Sequence, residues 1–392
     1  MKIVFPCRRT NQFRYLAPLI GISEANGNKN VLVIFTGENK SKSYLDWEPS
    51  KLQAVRLQFP KLEIVEISSG DESPNLAAHV PPNVTYVSVE SPTNFVSRYS
   101  PPVGPWIQVQ TGADIFFHVA AASVRPDAIA LWGSNWVSES FQKHHYLTKR
   151  LQEAAQFVAA SPSAVLGHVG LRADDPHTSK PSPSLSCLKS AIFFEPTVAE
   201  KSRSNIITAI RSFQFTSKNR QGLRSFKGLI RGAIDQLEIM GYAVYLRGRE
   251  KAARFDLGYS GLELAPTRPD LWGDPSSQLI ASEVSVAMFA SHSIPESLRL
   301  NRKVLSLDPG RLYPANIRAY PQFIMLEDLL NSCPEDFIHV KRVEELEEGS
   351  ARLSSPISGE LSTRISGWID DGVGREEKFL KLLANANRSR HL

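Results

Sequence analysis

The run Ser291-His292-Ser293-Ile294-Pro295-Glu296 carries the sharpest chemical signal in the chain. An apolar segment, Val284, Val286, Met288 and Phe289, reads as a strand leading into it, and Pro295-Glu296 reads as the opening of a short helix. Small hydroxylic residues between a strand end and a helix start place hydroxyls and backbone N–H groups where a phosphate can sit. Glu296, one turn into that helix, then reaches the ribose attached to such a phosphate. A plainer reading stays open, since a carboxylate near a helix start also stabilises the helix by about 0.3–1 kcal/mol. His292 likewise reads either as a phosphate or oxyanion contact or as an ordinary turn residue.

Other residues join this signal by their place at predicted strand ends. Tyr245-Leu246-Arg247-Gly248-Arg249-Glu250-Lys251 ends a strand in three cations, Arg247, Arg249 and Lys251. Held beside a diphosphate, these would stabilise it as a leaving group through charge-assisted hydrogen bonds; left in water, they are a solvated turn. The first strand ends in Cys7-Arg8-Arg9-Thr10-Asn11. Arg8 and Arg9 either recognise an anionic acceptor or lie in an exposed loop with Asn11 capping the next helix. Proton removal from an acceptor hydroxyl calls for a general base, and the candidates are Asp114, Glu139 and one of the adjacent pair His144-His145.

These residues need a scaffold, and its outline is readable. Apolar strand candidates at Ile3–Cys7, Val31–Thr36, Leu62–Ile67, Val84–Val89, Ala128–Trp132 and Phe157–Ala160 alternate with helical patterns near Gln12–Ala25, Pro49–Leu57 and His145–Gln156. Such alternation predicts a parallel, doubly wound sheet. Prolines and serines between Arg172 and Ser186 read as a linker. The alternation then restarts at Ala191–Phe194 and runs through Phe226–Met240, Ala243–Leu246, Leu262–Ala265, Ser276–Ser282, Val284–Phe289, Pro295–Leu300 and Val304–Leu307. The expected plan is α/β, two doubly wound Rossmann-like domains facing a cleft, with residues 1–171 on the acceptor side, 172–189 as linker and 190–345 as the nucleotide-donor domain. Residues 346–392 form a helical tail that Gly372 and Gly374 divide, and packing back on the first domain would bury its apolar positions.

Composition bounds the function classes. A length of 392 residues exceeds one ordinary core. The contents of 42% hydrophobic and 22% charged residues describe a globular chain, not a disordered one. Three scattered cysteines, Cys7, Cys187 and Cys333, suggest a reducing compartment. The first residues enter a core strand at once, which reads as no signal peptide, and no apolar run reaches the ~18–20 residues of a spanning helix. A cytoplasmic protein is expected. Between Lys201 and Arg231 stand eight basic residues and no acid. That run is either a solvated face or a peripheral contact with anionic membrane at its inner face; a nucleic-acid partner is not expected. The chain lacks Asp-x-Asp, Gly-x-x-x-x-Gly-Lys-Ser/Thr and Gly-x-Gly-x-x-Gly motifs, so no metal site and no dinucleotide or other cofactor is predicted.

The order strand, Ser-x-Ser, Glu296, Leu300-Asn301-Arg302-Lys303-Val304-Leu305, Asp308 resembles the donor-binding half of GT-B glycosyltransferases, especially those building bacterial surface polysaccharides. Ala130-Leu131-Trp132-Gly133-Ser134 is similar to a strand end of teichoic-acid glycerophosphotransferases, without their histidine. The resemblance implies a metal-independent transferase that takes a nucleotide-sugar as co-substrate and a glycan or lipid-linked acceptor. It assigns Glu296 to ribose, Ser291 and Ser293 to phosphate, and Arg247, Arg249 or Lys251 to the leaving group. A polyol-phosphate transferase, a nucleotide-sugar epimerase and a non-catalytic module binding an anionic polymer remain the alternatives.

Overall fold

A computed structural model describes residues 1–36, 47–68, 76–99, 104–111, 116–133, 148–167, 189–195, 206–248, 259, 261–266, 272, 275–289, 291, 293–310, 326–327, 330–331, 334–356, 365, 367, 369–370 and 372–388. The chain divides into two compact units. The first takes in Met1–Arg172, Arg268–Asp274 and Gly367–Leu392; the second takes in Ala173–Thr267 and Pro275–Ser366.

In the first unit the chain order is β1 (Lys2–Cys7), α1 (Thr10–Ala25), β2 (Lys29–Thr36), α2 (Pro49–Gln58), β3 (Glu63–Ser68), α3 (Leu76–His79), β4 (Thr85–Ser88), α4 (Pro92–Tyr99), β5 (Trp106–Val109), α5 (Phe116–Val124), β6 (Ala128–Leu131), α6 (Thr148–Ala160) and β7 (Ser163–Val165). The strands form one parallel sheet in the order β3-β2-β1-β4-β5-β6-β7. Helices on both faces demand strands that are apolar on both sides. Alternate residues of β1 accordingly enter different clusters: Ile3, Phe5 and Cys7 pack with Phe13, Leu16 and Ile20 of α1, while Val4 packs with Val31, Tyr86, Phe95 and Trp106. Trp272 belongs to this unit too, with its ring edge-on to Phe13 at 4.6 Å and its indole N–H donating to Gln58 Oε1 at 2.7 Å.

The second unit repeats the plan with β8 (Ser190–Phe194), α7 (Ile206–Ile239), β9 (Ala243–Arg247), β10 (Glu263–Leu264), α8 (Ser276–Ala281), β11 (Val284–Met288), α9 (Ser293–Arg299), β12 (Lys303–Leu307), β13 (Phe337–Val340) and α10 (Leu346–Ala351). Its parallel sheet runs β10-β9-β8-β11-β12-β13. Counted within the unit that is 3-2-1-4-5-6, the doubly wound order that reverses direction beside its first strand. Asn301 closes the stretch after α9 in the left-handed region, at φ 55°, which Asn tolerates better than most residues.

Several expectations are corrected. Phe157–Ala160 is the last turn of α6, not a strand, because Leu151, Ala154 and Val158 bury one helical face; the strand follows at Ser163–Val165. The basic run extends into one 34-residue helix, α7, instead of a helix beginning at Phe226. Its described side chains bury Phe226, Leu229, Ile230, Ala233 and Leu237 and leave Arg224 and Arg231 exposed. Asn11 does not cap α1: Gln12 Oε1 accepts the backbone N–H of Arg8 at 3.1 Å and of Arg9 at 3.0 Å. Trp106–Val109 and Phe337–Val340 are strands that the sequence patterns did not single out. Among the described residues no helix is long and apolar enough to cross a membrane.

The carboxyl-terminal helix α11 (Arg375–Arg388) completes the first unit, with Phe379, Leu382, Leu383 and Ala386 in the same core as α1. Its entry is fixed by backbone. The Asp370 N–H donates to the Trp132 carbonyl at 2.8 Å, and the buried Arg375 donates through Nε to the Leu166 carbonyl at 2.9 Å. Gly167, at φ 69°, passes so close that a Cβ there would collide with the Asp370 carbonyl oxygen.

Two stability predictions follow from this packing. Gly167→Ala adds left-handed strain to a backbone collision and should lower stability by on the order of 2 kcal/mol. Gly228→Ala, mid-helix with no atom near its added methyl, should instead gain up to about 1 kcal/mol; equal effects in urea denaturation would contradict the account. His118 of α5 is 2% exposed, and burial lowers its pKa to about 4. The folded imidazole therefore binds fewer protons than the unfolded one between its free value and about 4. Its contribution is intact above about pH 6.5 and is lost as pH falls, about 2 kcal/mol between pH 7 and pH 5. His118→Asn should flatten that slope, and an unchanged slope would show that other groups set it.

Candidate functional site

In a doubly wound sheet the two crossover directions part beside the first strand, and the crevice outside the carboxyl ends there is the place for a ligand. In the second unit that point lies between β8 and β11. The first residue beyond β8 is Glu195, 8% exposed, whose N–H donates to the Arg247 carbonyl at 3.1 Å. Its carboxylate accepts the Tyr259 hydroxyl at 3.0 Å, and the Tyr259 ring packs on Phe193 with centroids 5.4 Å apart. Arg247 ends β9 and is half-buried.

Beyond β11, Ser291 and Ser293 sit with their hydroxyl oxygens 2.8 Å apart. One hydroxyl hydrogen is spent in that bond, so the pair keeps one to offer. Ile294 N–H donates to the Ser291 carbonyl at 3.1 Å, turning the chain into α9. The helix is pinned to its strand from within. Ser297 Oγ lies 2.8 Å from Ser285 Oγ of β11 and donates to the Ser293 carbonyl at 2.6 Å. Glu296 is 3% exposed in the first turn of α9. Ser291, Ser293, Glu296 and Arg247, singled out from sequence, thus share one carboxyl edge, with β9 two strands from β11 or about 10 Å along the hydrogen-bonding direction. Arg249, Lys251 and His292 lie outside the described residues, as do Asp114, Glu139, His144 and His145.

The stretch after α9 is structural. Lys303 is 3% exposed and donates through Nζ to the Arg352 carbonyl at 2.8 Å; burial lowers its pKa against the opposing charges of Asp336 and Glu335. Burial lowers that of Arg302 as well, offset by Glu283. At the same edge, His339 Nε2 lies 3.6 Å from Asp308 Oδ2, with its ring 4.5 Å from that of Phe289. Sequence reading missed this pair, and the Glu195–Tyr259 pair, because the partners stand far apart in the chain.

In the first unit the corresponding point lies between β1 and β4. Arg8 and Arg9 follow β1 and are half-buried, with their backbone held by Gln12 as described. Beneath them the buried Cys7 thiol is pushed well up, mainly by burial and further by the charge of Glu90. Glu90, 4% exposed, follows β4 and accepts the Tyr99 hydroxyl at 3.1 Å. Two glutamines of β5 and its end, Gln108 and Gln110, are buried beside it. None of these three was singled out from sequence; a carboxylate just past an apolar strand, Val84–Val89, was the available signal. Among the described residues no group of three His, Cys, Asp or Glu could hold a metal ion.

No protein-family model matches the chain, and no curated protein matches it by sequence. Solved structures do match by shape. UGT73P12 of Glycyrrhiza uralensis, solved with glycyrrhetinic acid 3-O-monoglucuronide, is similar with TM-score 0.55 and 8% identity over 100% of this chain and 97% of its own. UGT89C1 of Arabidopsis thaliana, solved with UDP-L-rhamnose, gives 0.51 at 11% identity over 98% of each chain. A putative UDP-N-acetylglucosamine 2-epimerase of Listeria monocytogenes gives 0.51 at 11% identity over 98% of this chain and 95% of its own. At such identities the likeness concerns fold alone: the chain is built of two Rossmann-like parallel-sheet α/β domains on the GT-B plan.

Proposed function

We propose that the protein is a glycosyltransferase that moves a sugar from a nucleotide-activated donor to a glycan or lipid-linked acceptor, with the second domain holding the donor and the first the acceptor. The observation that carries the reading is the convergence of a hydroxyl pair, Ser291 and Ser293, with the buried Glu296 and with Arg247 at one carboxyl edge. The solved relatives in fold support the donor class, since UGT89C1 was solved with UDP-L-rhamnose and another, TcCGT1, with UDP (TM-score 0.51, 12% identity). Glu296 takes the ribose hydroxyls. Ser291 and Ser293 take a phosphate at the β11 end.

When the glycosidic bond breaks, its electron pair leaves on the nucleotide phosphate while the acceptor oxygen bonds to the sugar carbon and gives up its proton. Charge on the leaving phosphate rises in that step, so a positioned cation stabilises the transition state more than the bound donor. Arg247, with Arg249 and Lys251, supplies that charge, which makes a metal ion unnecessary. Asp114, Glu139 and one of His144 and His145 are the candidates for the proton, His292 for a contact with phosphate or a developing oxyanion, and Arg8 and Arg9 for an anionic part of the acceptor. The basic run from Lys201 to Arg231 suits anionic membrane, in keeping with a cytoplasmic enzyme of surface-polysaccharide assembly. A polyol-phosphate donor of the teichoic-acid kind would use the same edge. Epimerisation is the second reading, favoured by the Listeria relative in fold; the product of donor turnover distinguishes the two.

Glu296→Ala should weaken nucleoside diphosphate binding in calorimetry by about 1–3 kcal/mol, through loss of a buried acceptor, and unchanged binding by a folded variant would remove Glu296 from the site. Arg247→Gln should reduce donor turnover roughly 10²-fold while donor affinity changes less. Turnover at the parent rate would remove Arg247 from the leaving-group site.

A further inference from the structure

We propose that Glu195 and Tyr259 are positioning residues, which together hold the end of β9 so that Arg247 meets the departing phosphate. The inference rests on the reading of Arg247 as a cation of the leaving-group site and adds what holds it there. Strands β8 and β9 run in register with Phe194 beside Arg247, and Glu195 is the next residue. Its N–H donates to the Arg247 carbonyl at 3.1 Å, and on the other side of β9 the Ala265 N–H donates to the Leu246 carbonyl at 2.8 Å. The backbone that carries Arg247 is thus bonded from both neighbouring strands up to its last residue.

The Glu195 side chain reaches the same place. One oxygen, Oε1, accepts the Tyr259 hydroxyl at 3.0 Å, and the buried Tyr259 in turn packs its ring on Phe193. The other, Oε2, lies beside the residue after Arg247: a Cβ added at Gly248 would stand 4.0 Å from it and 3.2 Å from Leu264 Cδ2. The carboxylate is therefore set close against the strand end that carries Arg247 and that continues in sequence to Arg249 and Lys251. For holding the sheet alone an apolar pair of the same size would serve as well, because replacing both partners of a buried hydrogen bond together is nearly neutral. A buried carboxylate is unfavourable unless charge or hydrogen bonds compensate it, and this one places a fixed negative charge beside a cationic strand end. Arg carries five N–H donors in a rigid planar fork, so a guanidinium steadied from one side by that charge still presents donors to a phosphate on the other. Side-chain freedom given up beforehand is not lost again in the transition state.

The test measures nucleotide release by the full chain from a panel of UDP-, GDP- and CMP-sugars, with kcat and KM taken on the donor that the parent turns over fastest. Glu195→Gln keeps an acceptor for Tyr259 and removes the charge. It should lower kcat about tenfold while KM changes less than about threefold, at a parent-like melting temperature. In an Arg247→Gln background the same change should alter kcat by less than about twofold, since effects that act through one residue do not add. Tyr259→Phe, which deletes one hydroxyl, takes the place of Glu195→Gln in both backgrounds if that variant does not fold. Parent-like kcat in Glu195→Gln together with a loss in Arg247→Gln overturns this inference alone, and so does an equal loss in both backgrounds, the mark of a separate structural role. Parent-like turnover by Arg247→Gln overturns both this inference and the reading of Arg247 on which it rests, as does a parent that releases nucleotide from no donor.

Discussion

A parallel strand covered by helices on both faces has room for polar chemistry only at its ends, and that constraint organises this protein. Strands β1, β2, β4, β5, β11 and β12 are buried almost throughout. Where polar side chains do enter the sheets they are tied to backbone or to each other, as Ser190 is to the Ala281 carbonyl and Ser285 is to Ser297. The groups with chemical capacity collect just beyond the carboxyl ends: Glu195, Arg247, Ser291 and Ser293 in one domain, Arg8, Arg9, Glu90 and Gln110 in the other. Strand order then decides which of them become neighbours, and the doubly wound order puts the two most informative strand ends of each sheet side by side.

That division explains what was legible in the sequence. Ser291, Ser293 and Glu296 were readable because strand, turn and helix are contiguous, so local pattern states the geometry. The strands β1, β2, β8, β11 and β12 were readable for the same reason, as apolar runs between polar turns. Phe157–Ala160 misled because four apolar residues suit a buried strand or the end of a buried helix face equally, and only the spacing from Leu151 separates them. Trp106–Val109 escaped because it is a four-residue strand interrupted by Gln108, a polar residue whose partners come from β4. Glu90 with Tyr99, Glu195 with Tyr259 and Asp308 with His339 are products of folding; nothing in the local pattern of either partner announces the other.

The first domain shows how a distant segment is made part of a core. Residues from Gly367 onward return to a sheet whose last strand ended at Val165. Apolar burial by Phe379, Leu382 and Leu383 supplies the driving force, but the path is set by main-chain fit at Trp132, Leu166 and Gly167 and by the buried Arg375 guanidinium. Gly372, at φ 76°, clears the space that this guanidinium fills. Gly167, Gly372 and Arg375 thus act as one joint, and of the two glycines that looked like helix breakers in the sequence, Gly372 is the one the guanidinium packs against.

The central claim is that a nucleotide sits at the carboxyl edge of the second sheet. Hydrogen–deuterium exchange of the full chain, with and without a saturating mixture of UDP, GDP, CDP and ADP, tests it most directly. The account predicts protection concentrated from Ser291 through Arg299 and at the ends of β8 and β9, with the first domain's α2 and β3 unchanged. Protection absent from Ser291–Arg299, or confined to the first domain, would contradict it.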